Sequence, residues 1–337
     1  MATPSQITNP LLVGVAIRSQ IEIDGKIPVD IPLEKEFAEG SDYTVTDHVN
    51  QLHAGTCKNP RTLQIVTSIV NHLHSVIRET KPSNEEWEEA IDFVTKAGKE
   101  SQGKLNIIFL LGAVLGMNTL INDINHPKPP GCTSATESGP FYIDDVPEYP
   151  SGSSIIKADT KGERMFFFGT VKNTKGEGIR GVKVDVWQAD GDGVYDVQYH
   201  EGTNDRGRIV AEATGDFCYR GVLPTAYHVP TLSVVKDLLA TLGRHPNRST
   251  HLHFTIVAPG YESLTTQIYP SHSPFLGTDA AFATKPSLVS DVVEVTDPRK
   301  WVEMGFKEGE VTNGRVWLWK YDFVLPTTAE VEALKKL

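Results

Sequence analysis

The run His126-Pro127-Lys128-Pro129-Pro130-Gly131 constrains this chain more than any other segment. Its prolines lack backbone donors and push the residues before them out of the helical region, so no helix passes through it. The apolar spacing differs on its two sides. From about Asp47 to Asn125 apolar residues recur at helical intervals, as in Val66, Ile69, Val70, Leu73 and Ile77, which fall on one helix face. Beyond the prolines come short alternating runs: Val182, Val184 and Val186; then His251 to Val257; then Trp317, Trp319, Tyr321 and Phe323, whose side chains share a face in an extended chain. Asp190-Gly191-Asp192-Gly193 and Asn204-Asp205-Arg206-Gly207 separate these runs as turns. The pattern predicts a mainly β protein, with an antiparallel β-sandwich over 131–326, a helical region over 1–130 ahead of it, and a short helix or tail over 327–337.

Within the helical region, Pro82-Ser83 followed by Glu86 is a capping box, and Trp87, Ile91 and Val94 continue one face until Gly98 offers a stop. A third stretch, Leu105 to Ile124, is apolar on most sides and is expected to be buried against neighbours or a second chain. A length of 337 residues suits one large domain with an accessory one. The formal net charge of -11 repels a phosphate backbone or an anionic bilayer, which argues against nucleic acid and membrane surfaces and leaves small molecules and proteins. Cys57, Cys132 and Cys218 are widely spaced and form neither a disulfide framework nor a zinc-finger pattern. The start, Met1 to Gln20, carries no basic leader, and its apolar run Leu11 to Ile17 is short for a span, so a cytoplasmic protein is expected. Lys335-Lys336-Leu337 lacks the small residue of a peroxisomal address.

The sharpest chemical signal is Thr250-His251-Leu252-His253-Phe254. In a strand, residues two apart project to one side, so both imidazoles can meet one ion while Leu252 and Phe254 enter the core. A bare H-x-H is more often a pair of hydrogen-bonded histidines than a metal site. No H-x-D or H-x-E accompanies the pair to complete an iron(II) triad. Tyrosine is the other candidate donor. Tyr227 sits in Leu223-Pro224-Thr225-Ala226-Tyr227-His228-Val229-Pro230, where prolines stiffen the backbone, and Tyr195 follows the turn Gly191-Asp192-Gly193. Taken singly, each is more readily a core or hydrogen-bonded tyrosine. A phenol titrates at about 10 in water, so a metal must drive off its proton, which a trivalent ion does better than a divalent one.

Tyr195, Pro224-Thr225-Ala226-Tyr227, Gly243 to Phe254 and Leu264-Thr265-Thr266-Gln267 together follow the order and spacing of a known family. From about Pro60 to Val295, including Gly139-Pro140-Phe141 and Ser273 to Lys285, the chain resembles the intradiol ring-cleavage dioxygenases. The resemblance implies Fe(III) held by Tyr195, Tyr227, His251 and His253, with Arg248 on the substrate, Gln267 near the ligands, and Tyr227 loosening to act as a base. It implies a pocket that also includes Leu110, Ala113, Gly139, Pro140, Phe141, Val229 and Pro230. Tyr199, Tyr219 and His228 are the neighbours with which the ligands are most easily confused.

Asp185 to Asp190, Tyr195 to Gln198 and Pro224 to Pro230 look most like family members acting on hydroxyquinol, and Trp87 to Phe93 leans the same way. The expected reaction is oxygen-dependent opening of benzene-1,2,4-triol to 3-hydroxy-cis,cis-muconate, the tautomer of maleylacetate. Catechol, opened to cis,cis-muconate, is the alternative, because Ala113 stands where triol enzymes tend to carry an aspartate and Gln267 is closer to the catechol type. The resemblance also implies a homodimer joined through the N-terminal helices, with a lipid held among them. Two other classes stay open on the residues alone: a metal-free β-sandwich binding module and a zinc hydrolase.

Overall fold

The computed structural model describes residues 45–101, 106–199, 202–229, 233–311 and 313–336. The chain divides into two compact units, one reaching to Ile91 and the other beginning at Asp92. In the first, α1 (Val45–Thr56) packs along α2 (Pro60–Thr80), with Thr46 Oγ1 2.8 Å from His74 Nδ1 and Asn50 donating to Asn71 at 2.7 Å. Asn59 caps α2 by accepting from Thr62 N–H, and Pro60 supplies a first-turn residue with no donor to satisfy. The capping box at Ser83 and Glu86 forms in both directions, at 2.7 and 3.2 Å, ahead of α3 (Asn84–Glu100). The helix runs past Gly98 to Glu100, because a glycine weakens a helix without ending it.

The stretch expected over Leu105 to Ile124 is two helices, α4 (Ile107–Val114) and α5 (Met117–Asn125), bent by 81° where Gly116 takes a φ of +74°. Burial is likewise split. Ile107 and Val114 are inaccessible, whereas Leu120, Ile121 and Ile124 on α5 are 59–68% exposed. The α2 stripe is also open, with Ile69, Leu73 and Ile77 exposed. Among the described residues no single helix is long and apolar enough to cross a membrane; only the bent pair α4–α5 passes by length and composition.

The rest is strand-rich. The strands are β1 (Glu148–Pro150), β2 (Arg164–Asn173), β3 (Lys183–Trp187), β4 (Arg206–Val210), β5 (Asp216–Val222), β6 (Tyr227–His228), β7 (Asn247–Arg248), β8 (Leu252–Val257), β9 (Leu264–Pro270), β10 (Val289–Ser290), β11 (Val292–Val295), β12 (Val316–Lys320) and β13 (Phe323–Leu325). Among them run α6 (Asp196–Tyr199), α7 (Val234–Thr241) and α8 (Pro298–Glu303), and α9 (Thr328–Leu334) follows. One sheet has the order β1-β4-β3-β8-β9-β10, and a second joins β11, β12, β2 and β13, with β5 also on β2.

The expected antiparallel pairing holds at the centre of the first sheet, but β1–β4 and β10–β9 at its edges are parallel, as are β12–β2 and β13–β2. Alternation encodes which face is buried and not which way the neighbour runs. Arg206 and Gly207, expected in a turn, open β4.

The two sheets share one core. Val184, Val186, Leu252, Phe254 and Ile268 from the first meet Met165, Phe167, Phe217, Trp319 and Phe323 from the second, with Phe167 and Phe254 ring centroids 5.1 Å apart. Each fully buried side chain of this size contributes roughly 1.5–3 kcal/mol relative to exposure. Thr327 and Glu330 form a capping box on α9, the short terminal helix the sequence leads one to expect. The run Leu11 to Ile17, Leu105 and Leu337 lie outside the described residues.

Candidate active site

Sheet register sets the first part of the site. His253 on β8 is paired with Trp187 on β3 and with Gln267 on β9, so three side chains from adjacent strands stand side by side. His251 directly precedes β8, and Leu252 and Phe254 on the opposite face are wholly buried in the core. The short β6–β7 pair sets the second part by placing Tyr227 opposite Arg248. Tyr195 is brought in by the turn Asp190 to Val194, where the Asp190 carboxylate accepts from the N–H groups of Asp192 and Val194. The following helix α6 is tied down by Asp196, which takes both Nε and Nη2 of Arg206 at 2.9 and 2.6 Å in a fully buried ion pair.

These elements bring Tyr195, Tyr227, His251 and His253 together. Tyr195 Oη lies 3.3 Å from His251 Nε2 and 3.1 Å from His253 Nε2, and the two Nε2 atoms are 3.1 Å apart. Tyr227 closes the group, its ring 5.6 Å from that of Tyr195 and 5.5 Å from that of His251. His251 Nδ1 is 2.6 Å from the Ser249 carbonyl, so that nitrogen carries the proton and Nε2 presents a lone pair to the group. Burial, reinforced by Arg248, lowers the His251 imidazole to about 3; burial and His251 hold His253 well below the usual histidine range. Burial pushes the Tyr195 phenol well up, helped by Tyr227, and raises Tyr227 too, against the pull of Arg248. Two neutral imidazoles and two proton-bearing phenols thus share a largely buried site, and a cation entering it would reverse the preference of the phenols. Among the described residues no group of three His, Cys, Asp or Glu could hold an ion, so a metal here needs the tyrosines.

Arg248 is buried and directed by two partners, Nε to Asp279 at 2.8 Å and Nη2 to Gln267 Oε1 at 2.8 Å. Burial works against its charge, but Asp279, Tyr227 and Tyr269 together outweigh burial and keep the guanidinium protonated. Gln267 Oε1 also accepts from Tyr269 at 2.7 Å, and its amide donates to the Glu137 carbonyl at 3.0 Å. The segment after Glu137 runs along the site: a Cβ on Gly139 would stand 3.5 Å from His253 Cε1, and Phe141 stacks on Tyr195 with centroids 4.4 Å apart. Pro140 is exposed. Leu110 and buried Val229 share an apolar cluster with Val235, Leu239 and Ala280; Ala113 is buried on α4 outside that cluster. Pro230 lies outside the described residues.

The confusable neighbours stand apart. Tyr199 donates to Asp190 at 2.7 Å, Tyr219 stacks on Phe167 in the core, and His228 is exposed. Sequence reasoning missed Asp279, Tyr269, Trp187 and Glu137. Asp279 reaches Arg248 across 31 positions, a separation no local motif encodes.

A family model described as "Dioxygenase" matches residues 137–325, and one described as "Catechol dioxygenase N terminus" matches residues 59–133. The chain is 37% identical to a hydroxyquinol 1,2-dioxygenase of a Rhizobium species, over 80% of this chain and 90% of that one. It is 34% identical to an intradiol ring-cleavage dioxygenase of Aspergillus niger, over 91% and 90% respectively. Among solved structures, the hydroxyquinol 1,2-dioxygenase of Pseudomonas putida superposes with a TM-score of 0.77 at 31% identity, covering 84% of this chain and 97% of that one. Pairing, buried donors and relatedness agree, and the chain belongs to the intradiol ring-cleavage dioxygenases, enzymes that open aromatic rings with dioxygen.

Proposed function

We propose that the chain opens hydroxyquinol between its adjacent hydroxylated carbons at a ferric ion held by Tyr195, Tyr227, His251 and His253. The family implies non-haem iron. The observation that carries the ligand assignment is the mutual approach of Tyr195 Oη, His251 Nε2 and His253 Nε2 at 3.1–3.3 Å. Donor atoms bound to one ion at about 2 Å stand about 3 Å from each other, so the set is already spaced for a metal. Two phenolates with two neutral imidazoles favour a trivalent ion over a divalent one. When bound, that ion supplies Lewis acidity to the two adjacent hydroxyls of the substrate.

The chain's own residues divide the remaining work. Tyr195 is wholly buried, whereas Tyr227 is only partly so, on a two-residue strand; Tyr227 is therefore the phenol free to swing out and take a substrate proton. Arg248, opposite Tyr227, stabilises negative charge developing on the product oxygens, and Asp279 and Gln267 fix its direction. Phe141, against Tyr195, helps to keep water from that side.

Relatives named hydroxyquinol 1,2-dioxygenase support the choice of substrate. Catechol is the second reading, favoured by Ala113, which presents a methyl group and no polar atom on α4. A homodimer through the helical region, with a lipid among the helices, would cover the exposed Leu120, Ile121 and Ile124. Three unpaired cysteines support a cytoplasmic location. Oxygen uptake and product analysis with hydroxyquinol, catechol, 4-methylcatechol and protocatechuate test the reading: hydroxyquinol should turn over fastest, and no uptake with any of the four would remove it.

A further inference from the structure

We propose that Glu137 reads the third substituent of the ring, accepting a hydrogen bond from a hydroxyl or amine that the diol carries beyond its two adjacent hydroxyls. The inference rests on the reading of the site given above. Glu137 is anchored through its backbone. Its carbonyl receives the Gln267 amide at 3.0 Å, and the Asn118 side chain, itself held by the Phe109 carbonyl at 3.2 Å, favours the ionised form of its carboxyl. Yet Oε2 is buried with no hydrogen-bond partner among the described residues. A carboxyl oxygen removed from water with nothing donating to it is costly and persists where a ligand completes it.

The surroundings say which ligand. Glu137 lies within the electrostatic reach of both Tyr227 and Arg248, and two residues further on Gly139 faces His253. Arg248 favours the ionised Glu137 carboxyl through space, but the bonds it makes run from Nε to Asp279 and from Nη2 to Gln267. The unpaired oxygen therefore stands at the head of the segment that runs along the tyrosine and histidine group. A diol whose adjacent hydroxyls are directed at that group has only its other ring substituents left to meet a protein acceptor. A donor there completes Oε2. A methyl leaves it bare, and a carboxylate meets like charge.

The test uses the iron-loaded protein under nitrogen, with dissociation constants for hydroxyquinol and 4-methylcatechol measured by calorimetry. The two ligands are of similar size and differ in one donor. The wild type should prefer hydroxyquinol, and Glu137→Leu should weaken hydroxyquinol by about ten- to a hundredfold while leaving 4-methylcatechol within about threefold. Glu137→Gln keeps the shape and one acceptor. It should lose about three- to tenfold of the preference, and it decides the matter if the leucine variant does not fold. A preference unchanged in the folded variants, or an equal loss for both ligands, overturns the proposal while leaving the active site standing. A wild type that binds neither ligand fails differently, overturning the reading of the site and this inference together.

Discussion

The indole of Trp187 lies flat against the imidazole of His253, with 4.7 Å between ring centroids and 12° between planes. The two residues are direct partners across β3 and β8. His251 is oriented by a carbonyl acceptor on Nδ1, but His253 Nδ1 is buried without a partner among the described residues, so on that side the indole face and the strand register hold the ring. Trp187→Leu should lower iron affinity roughly tenfold or more, in the range seen when outer supports of a metal ligand are removed, and Trp187→Phe should recover most of it. Iron retained per chain against a graded chelator reads the difference.

The ion pair of Asp196 and Arg206 sits directly after Tyr195, and both side chains are about as buried as the core. Removing one partner strands the other charge. Asp196→Ala should cost about 3–5 kcal/mol, and the double variant Asp196→Ala/Arg206→Met should recover part of that loss. Urea denaturation of the two variants beside the wild type measures both values.

Much of this site was legible because its chemistry is local. The spacing of His251 and His253 is the period of a strand, and the prolines around Tyr227 mark a stiff, short element. The break at His126 to Gly131 follows from prolines alone; it ends the run of helices α1–α5, and every strand lies beyond it, together with four further short helices. What stayed hidden depends on chain direction and long-range contact. Nothing in the alternation of Trp317 and Trp319 states that β12 runs parallel to β2, and nothing near Arg248 announces Asp279. The bend between α4 and α5 turns on Gly116, which in a helical apolar run reads as a tolerated residue. Glu137 escaped for the opposite reason: an acid beside a turn looks solvated, and only the fold buries its oxygen.

Acid should loosen the sandwich through Glu163. Burial opposes its charge, but Arg315, Asn313 and Trp317 more than compensate and hold the carboxyl down to about 2, against an ordinary value of 4.5. A group depressed on folding stabilises above its unfolded value and loses that contribution as pH falls through the folded one. The stability gap between wild type and Glu163→Gln should therefore be widest near neutrality and close as the pH falls from about 4.5 towards 2. Denaturation midpoints across that window check the sign; a gap that widens on acidification contradicts it.

Arg248 is the cation paired opposite Tyr227, and Asp279 is its fixed counter-ion. Arg248→Lys keeps a charge but loses the planar fork shared between Asp279 and Gln267, so kcat should fall by about 10²–10³, with a smaller change in KM. Steady-state kinetics with the preferred diol separates the two effects.

The convergence of Tyr195, Tyr227, His251 and His253 on one ferric ion is tested most directly by metal analysis of protein purified without added metal, taken together with its visible absorption. About one iron per chain is expected, with a tyrosinate band that weakens in Tyr227→Phe. Colourless protein that carries zinc or no metal, or a band untouched by that substitution, contradicts the assignment.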